Sequence, residues 1–165
     1  MLQNDSFIAS SILGVFGSNV QKARLARKMS VNSLAVKTGY DRGCLAKLED
    51  GLQNLKYKTA VRLAEALDVP FPLLFSRSFM DQDQGLEEIG PYQKDDHLLV
   101  FRENVIGQLN KYRMPQLTVT DLTGLSEQMV SRFLCGKTNN PTLTTLYSLS
   151  YAISDEMHLL FCRGK

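Results

Sequence analysis

Residues 39–51, "GYDRGCLAKLEDG", have a near copy in the same chain that begins at Gly124, "GLSEQMVSRFLCGK". Each segment places a short polar residue two positions after its first glycine, apolar residues at the sixth and ninth positions, and a second glycine at the twelfth. A short polar residue before such apolar spacing is typical of a capped helix, and a glycine just beyond it is typical of a helix end. The pattern therefore predicts the same short helix twice.

The repeat extends beyond these two segments. Its offset is 85 residues at first and 86 residues further along the chain, and the equivalent positions are Leu34 and Val119, Asp41 and Ser126, Leu45 and Val130, Leu48 and Phe133, Gly51 and Gly136, Leu63 and Leu149, Ala66 and Ala152, and Phe75 and Phe161. Similarity at a nearly fixed offset indicates a duplicated structural unit. We therefore expect a first domain at residues 1–78, a linker at residues 79–98 and a second domain at residues 99–165.

Each predicted domain divides into short helices, and the alternation typical of strands is absent. In the first domain Ser30 and Asp41 are placed to cap helices that Gly39 and Gly51 would end. The apolar stretch near the N-terminus follows Asp5, where a secretory signal would carry Lys or Arg, so we expect a helix of the fold there. These patterns predict an all-α fold class.

The charge of the chain is unevenly distributed, although the net charge is only +2. Residues 12–78 carry eleven Lys or Arg against five Asp or Glu, residues 79–98 carry one against six, and residues 99–165 carry seven against five. A basic segment beside an acidic strip indicates a polyanion-binding surface and a linker that stays away from it. No apolar run approaches the ~18 residues of a membrane span.

The chain offers no pattern that predicts catalysis or a metal. Its three cysteines form no CxxC pair, which favours thiols in a reducing cytoplasm over a disulfide framework or a zinc site. Its two histidines lie far apart in the sequence. There is no nucleophile with a base, no recognisable carboxylate pair and no glycine-rich phosphate loop. We expect no enzyme activity, no catalytic residue, no metal and no cofactor.

The two copies resemble the lambda-repressor-like family, also called the Cro/XRE helix-turn-helix family. The residues that carry the resemblance in the first copy are Leu34, Ala35, Gly39, Asp41, Leu45, Leu48, Glu49 and Gly51, followed by "LAEALDV"; in the second copy they are Gly124, Ser126, Val130, Ser131 and Gly136, followed by "NPTLTTL". The resemblance covers about four fifths of the chain. It implies two tandem five-helix domains joined by the acidic linker, in a cytoplasmic, nucleoid-associated protein of a bacterium or phage.

This resemblance also implies a set of DNA contacts, because the family places the N-terminal end of its third helix in the major groove. The implied recognition helices are residues 42–49 and 127–134. Their base-reading residues are Asp41, Arg42, Gly43 and Lys47 in the first copy, and Ser126, Glu127, Gln128 and Arg132 in the second. The implied phosphate contacts are Asn54, Lys56, Lys58, Gln116, Lys137, Thr138 and Asn139. Arg and Lys suit guanine, Gln suits adenine, and Glu suits cytosine.

The family usually pairs an Arg of its first helix with a Glu near the end of its third. The first copy keeps this ion pair as Arg24 and Glu49, whereas the second copy has Leu109 and Leu134 at the equivalent positions. Removing one member of a buried ion pair strands the other, but replacing both by apolar residues is often neutral. The double change therefore predicts a folded second domain.

Together these observations favour a sequence-specific transcriptional regulator, and more specifically a repressor. We expect its partner to be a double-stranded DNA operator of two parts, read by both recognition helices, and we expect a homodimer. A linker of about 20 residues reaches at most ~66 to 72 Å, enough to cross one helical turn of DNA, ~34 Å. In the alternative, only the first domain binds DNA, and the second is a dimerisation or partner-binding module, as in an antitoxin or a protein inhibitor.

Overall fold

The computed structural model describes the backbone of residues 2–79 and 89–164, and the side chains of residues 12–79 and 89–164. Within these ranges the fold is all-α, as predicted. The first half contains α1 (Leu2–Ala26), α2 (Val31–Thr38), α3 (Arg42–Glu49), α4 (Tyr57–Leu67) and a 3₁₀ helix (Phe71–Phe75); the second half contains α5 (His97–Lys111), α6 (Gln116–Thr123), α7 (Glu127–Leu134), α8 (Leu143–Ala152) and α9 (Met157–Leu160).

The turns between helices recur in the two halves as faithfully as the helices do. Positive φ angles occur at four equivalent pairs of positions: Lys28 (55°) and Arg113 (51°), Gly39 (67°) and Gly124 (69°), Gly51 (73°) and Gly136 (75°), and Asp68 (51°) and Ser154 (53°). Residues with long side chains rarely adopt this conformation. Its presence at both Lys28 and Arg113 therefore indicates that the backbone path itself is duplicated.

One side-chain amide in each half, buried at Asn19 and half-buried at Asn104, ties the first helix of that half to its C-terminal end. Asn19 Nδ2 in α1 donates to the Leu74 carbonyl at 3.0 Å. Asn104 Nδ2 in α5 donates to the Leu160 carbonyl at 2.9 Å. Since Asn19 and Asn104 are 85 residues apart and the two carbonyls are 86 apart, the offset of the sequence repeat is also the offset of this hydrogen bond.

The two halves share one hydrophobic core. α1 packs against α8 of the second half as well as against α3 and α4 of its own half. At the junction the ring centroids of Phe75 and Phe161 lie 5.2 Å apart, and those of Phe71 and Phe161 lie 4.9 Å apart. All three phenylalanines are at most 3% exposed. The halves are therefore packed directly against each other and are not held only by the chain that joins them.

The predicted linker, residues 79–98, falls in large part on residues 80–88, which lie outside the described residues. The described residues that follow are in contact with the rest of the protein. Tyr92 N donates to Asp68 Oδ1 at 3.0 Å, and Arg163 donates two hydrogen bonds to Asp95, at 2.6 and 2.8 Å. Helix α5 begins at His97, two residues before the predicted start of the second domain.

Three properties of the described residues bear on function. No helix among them is long and apolar enough to cross a membrane. No cluster of His, Cys, Asp or Glu among them could hold a metal ion. All three cysteines lie in these ranges, and none of them forms a disulfide bond.

Candidate nucleic-acid interface

Helix α3 begins with a side-chain cap that the sequence specifies locally. Asp41 Oδ1 accepts from the Cys44 backbone N–H at 2.8 Å, and this hydrogen bond is the main cause that lowers the pKa of Asp41 from its usual value. The carboxylate is therefore ionised at neutral pH. Leu45 and Leu48 are at most 1% exposed. The helix is consequently fixed to the core along one side, with its first turn facing solvent.

Helix α7 has the same construction with different residues. Ser126 Oγ accepts from the Met129 backbone N–H at 3.2 Å. Val130 and Phe133 take the places of the two buried leucines and are at most 1% exposed. Glu127 begins the helix, where its negative charge is favourable to the helix dipole. The first turn of α7 thus faces solvent, as that of α3 does.

The turn that precedes each of these helices is also the same in the two halves. Gly39 and Gly124 end the preceding helices in the left-handed conformation, with φ of 67° and 69°. One residue earlier, Thr38 and Thr123 are buried and bond back to carbonyls four residues before them, at 2.8 and 2.7 Å. A helix, a tight turn with a left-handed glycine and a second helix with an exposed first turn is a supersecondary motif used to enter the DNA major groove.

Every residue for which we predicted base reading lies on the protein surface. The exposed set is Asp41, Arg42, Gly43 and Lys47 on α3, and Ser126, Glu127, Gln128 and Arg132 on α7. The helices themselves span Arg42–Glu49 and Glu127–Leu134, which are the predicted bounds. A groove in DNA can therefore reach these side chains without any rearrangement of the core.

The predicted phosphate contacts are divided between solvent and contacts within the protein. Lys56, Lys58, Lys137 and Asn139 are exposed. The side-chain amide of Asn54 is also exposed, but it donates to Thr144 Oγ1 of the second half at 2.8 Å. Two of the predicted residues are half-buried, Gln116 and Thr138.

Gln116 occupies a position that connects two helices. Its Nε2 donates to the Glu127 backbone carbonyl at 3.2 Å and so joins the start of α6 to the start of α7. An amide in this place braces the start of α7.

Two surface clefts bring the predicted residues together. A cleft of about 350 Å³ lies between α7 and the loop after it, and its walls include Gln128, Arg132 and Thr138. A second cleft, of about 320 Å³, is bounded by Lys58 from the first half and by Thr138 and Asn139 from the second. The loops that follow the two helices therefore meet at a common place.

The ion pair expected in the first half is present and buried. Arg24 Nε lies 2.6 Å from Glu49 Oε1, and Arg24 Nη2 lies 2.8 Å from Oε2. The hydrogen bond to Glu49 raises the pKa of Arg24. In the second half Leu109 is buried and Leu134 packs against the core. The ends of α3 and α7 are thus fixed by different chemistry at the same two positions.

Comparison with known proteins places part of this geometry in a family. Residues 20–74 match the Helix-turn-helix family model. Residues 20–74 are a helix-turn-helix domain. The match does not extend to α6 and α7, so the second helix-turn-helix domain stays a prediction. The family that residues 20–74 match is not a family of enzymes.

Two curated relatives are similar over part of the chain. The uncharacterized HTH-type transcriptional regulator RghRB of Bacillus subtilis (strain 168) is 37% identical over 62 residues, which cover 37% of this chain and 45% of the relative. The HTH-type transcriptional repressor RghR of the same organism is 30% identical over 86 residues, which cover 51% of this chain and 62% of the relative. The chain therefore spans less than two thirds of the length of either relative. No solved structure matches the chain.

Two residues near the reading surface escaped sequence reasoning. Met129, in the first turn of α7, is 46% exposed, and a methionine there can contact a thymine methyl group. Arg102 in α5 donates to the Phe133 carbonyl at 2.8 Å and to the Thr138 carbonyl at 3.1 Å. In the repeat, Arg102 corresponds to Gly17 of α1. This difference between an arginine and a glycine at equivalent positions is the sequence signal that could have identified Arg102.

Proposed function

We propose that this chain is a sequence-specific DNA-binding transcriptional regulator, acting as a repressor in the cytoplasm of a bacterium or phage host. One observation supports this most: the first turns of α3 and α7 are capped and exposed, and buried residues stand three and six positions after the first residue of each helix. That arrangement presents polar side chains on a rigid support, which specific base contacts require. The relatives' names, a transcriptional regulator and a transcriptional repressor, point in the same direction.

In this proposal each helix reads bases with its own chemistry. On α3, Arg42 and Lys47 donate to guanine O6 and N7. The space around Gly43 is open: a Cβ added there would have only the Asp41 carboxylate near it, at 3.2 Å. The backbone at Gly43 can therefore approach the bases closely. Asp41 is ionised and accepts the hydrogen bond that caps α3. It therefore contributes to DNA recognition more by positioning the helix than by contacting a base.

On α7 the proposed readers are Gln128 for adenine, Glu127 for the cytosine N4 amino group and Arg132 for guanine. Ser126 caps this helix in the same way as Asp41 caps α3. The second half therefore has every part of a recognition element, and we propose that it is a second helix-turn-helix domain that reads DNA. This is the point at which the proposal differs from the partner-module alternative.

The loops after α3 and α7 supply the contacts that do not depend on sequence. Lys56, Lys58 and Lys137 are exposed there, and Thr138 and Asn139 add polar groups beside them. Lysines in this position neutralise phosphates and release counterions, which gives the affinity for DNA its dependence on salt. Asn54 and Gln116 contribute less directly, because each of them also holds protein groups in place.

The test begins with selection of bound duplexes from a random pool. Affinities of the full chain are then measured for the selected duplex and for an unrelated one. Arg42→Ala is expected to cost ~1 to 3 kcal/mol on the selected duplex and much less on the unrelated one. Arg132→Ala applies the same test to α7. Arg62→Ala is the matched control, since it removes an exposed cation from α4, away from either reading helix.

The outcomes separate the two readings of the second half. Equal losses on both duplexes would assign Arg42 to phosphate instead of bases. If Arg132→Ala and Gln128→Ala leave the affinity for the selected duplex unchanged, the second half is a dimerisation or partner-binding module. The mass of the free protein in solution tests the predicted homodimer separately.

A further inference from the structure

We propose that one chain occupies a whole operator: its two halves form an intramolecular pair with an approximate twofold axis, which places α3 and α7 on two inverted half-sites of different sequence. This inference rests on the proposed function, because it requires both helices to read DNA. It adds the orientation of the half-sites, and it replaces the homodimer expected from the sequence by one chain per operator. The contacts between the halves carry it.

The backbone hydrogen bonds between the halves are reciprocal. Tyr57 N donates to the Pro141 carbonyl at 2.8 Å, and Leu143 N donates to the Leu55 carbonyl at 2.8 Å. In the repeat, with its offset of 86, Leu55 corresponds to Pro141 and Tyr57 to Leu143. The second bond is therefore the first with the two halves exchanged. Exchange of this kind is the signature of a twofold, isologous interface.

Two contacts join residues that are equivalent to each other and so mark the axis itself. Lys56 and Thr142, which are 86 residues apart, form an antiparallel bridge. The rings of Phe75 and Phe161, also 86 apart, lie 5.2 Å from each other in the core. A residue can touch its own equivalent only close to the axis. The axis therefore runs from the buried phenylalanines to the surface loops that contain Lys56 and Thr142.

Side chains beside the axis repeat the exchange approximately. Asn54 Nδ2 donates to Thr144 Oγ1 at 2.8 Å, and Asn140 Oδ1 accepts from the Lys58 backbone N–H at 2.9 Å. Asn54 corresponds to Asn140, and Lys58 to Thr144. The same two positions are thus joined in both directions, with a side chain as the partner in one case and backbone in the other. The interface is pseudosymmetric and held by polar contacts as well as by the core.

The axis fixes the relative placement of the reading helices. A rotation about an axis leaves height along that axis unchanged, so equivalent helices lie at one level and on opposite sides. Helix α3 ends at Glu49, and the loop after it reaches the axis at Lys56; α7 and the loop to Thr142 do the same in the second half. Both reading helices therefore belong to the loop end of the molecule, where two inverted half-sites of one duplex can meet them.

This arrangement predicts an operator that resembles a palindrome but is not one. The half-sites are inverted because the helices are related by a twofold rotation, and they differ because the reading side chains differ. Their centres are expected about one helical turn, ~10 bp, apart. Since the second domain is already in place when the first binds, no association of chains precedes binding.

The decisive experiment makes the two readers identical. The variant carries Asp41→Ser, Arg42→Glu, Gly43→Gln, Cys44→Met and Lys47→Arg, which places the residues of α7 on α3 and removes a helix-weakening glycine. Duplex selection is run with the wild-type chain and with the variant. The wild-type chain is expected to select two different inverted half-sites. The variant is expected to select a perfect inverted repeat of the wild-type half-site that α7 reads.

Further measurements test the rigid geometry and the stoichiometry. Five base pairs inserted between the half-sites turn one of them to the opposite side of the duplex, so affinity should fall to that of a duplex that carries a single half-site. Native mass spectrometry should find one chain per duplex. Three outcomes would each overturn this proposal and leave the proposed function intact: affinity retained after the insertion, half-sites in the same orientation, and two chains per duplex. If the wild-type chain selects no sequence at all, the proposed function fails as well.

Discussion

The two halves hold α3 and α7 in the same place by opposite means. In the first half α1 lies directly on the end of α3, and a Cβ added at Gly17 would stand 2.0 Å from the Leu48 carbonyl oxygen. In the second half the equivalent residue is Arg102, whose guanidinium bonds the Phe133 carbonyl, the equivalent of Leu48. At Gly17 the backbones of the two helices are in direct contact, whereas at Arg102 a long cationic side chain fills the space between the helices. The fold therefore specifies a distance between helices, and each half meets it with its own residues.

A second contrast lies about two helical turns further along α1 and α5. Arg24 and Glu49 form a buried ion pair in the first half, where Leu109 and Leu134 stand in the second. Low-dielectric surroundings make a lone charge costly, whereas a matched apolar pair carries no such cost. These two positions are therefore coupled, because a change at one of them requires a compensating change at the other.

The ion pair should be intolerant of single changes and tolerant of a double one. Arg24→Leu or Glu49→Leu alone is expected to lower the free energy of unfolding by ~3 to 5 kcal/mol, because each leaves a buried charge unpaired. The double variant imitates the second half and should lose ~1 kcal/mol, mainly the hydrogen bond from Arg24 to the Met29 carbonyl. Urea unfolding of the three variants measures the coupling. A double loss equal to the sum of the single losses would contradict it.

The close contact at Gly17 should be the next most sensitive. Gly17→Ala is expected to destabilise the protein by ~3 kcal/mol, because the new methyl group meets backbone oxygen that cannot move without shifting α3. Gly14→Ala, in the same helix, is the matched control: nothing lies within 4 Å of its added Cβ. That variant should gain up to ~1 kcal/mol from helix propensity. Similar unfolding curves for the two variants would remove the steric account of the first half.

Helices α3 and α7 could be predicted from sequence because their signals are local. The caps at Asp41 and Ser126 bond backbone only three residues away, and the glycines at 39 and 124 need only the left-handed conformation. Neither signal depends on a distant part of the chain. The bounds of α3 and α7 therefore follow from a few neighbouring residues.

The interface between the halves could not be predicted in the same way. Leu55 and Leu143 join the two halves through backbone groups, which every residue has, so their side chains give no sign of it. Gly17 and Arg102 acquire meaning only when the distance between two helices is known. The sequence predicted the duplicated unit and the bounds of α3 and α7, but how the two copies pack depends on tertiary contacts that no short pattern encodes.

In the second half, Arg102→Ala should produce a smaller loss than the steric clash in the first. It removes charge-assisted hydrogen bonds to the Phe133 and Thr138 carbonyls and a contact with the Phe133 ring, 5.4 Å from the guanidinium carbon to the ring centroid. We expect ~1.5 kcal/mol less stability, since the side chain is half-buried and water can reach part of the site. Arg102→Lys is the control, because it keeps the charge without the fork that reaches two carbonyls. Full stability in Arg102→Ala would mean that packing alone positions α7.

The smallest effect is expected at the first residue of α5. This residue is a histidine in the second half, and its equivalent in the first half is an isoleucine. His97 is buried at 5% exposure against Phe71, at 4.8 Å between ring centroids, and its Nε2 has no hydrogen-bond partner among the described residues. Burial lowers the pKa of His97, and Arg163 acts in the same direction, whereas Asp95, Asp96 and a hydrogen bond to the Gln93 backbone oppose them. The net shift disfavours the imidazolium in the folded protein.

The sign of the pH dependence follows from that shift. A histidine whose pKa is lowered on folding contributes its full stability above the unfolded value, about 6.5, and loses it as the pH falls through that value towards the folded one. His97→Ile places there the residue found at the equivalent position, Ile12, which is 3% exposed. Urea unfolding at pH 7.5, 6.5 and 5.5 should show a shallower decline for the variant. His158 is present in both proteins, so it does not account for a difference between them. Parallel declines would mean that groups other than His97 cause the pH dependence and that burial of His97 carries no cost in stability.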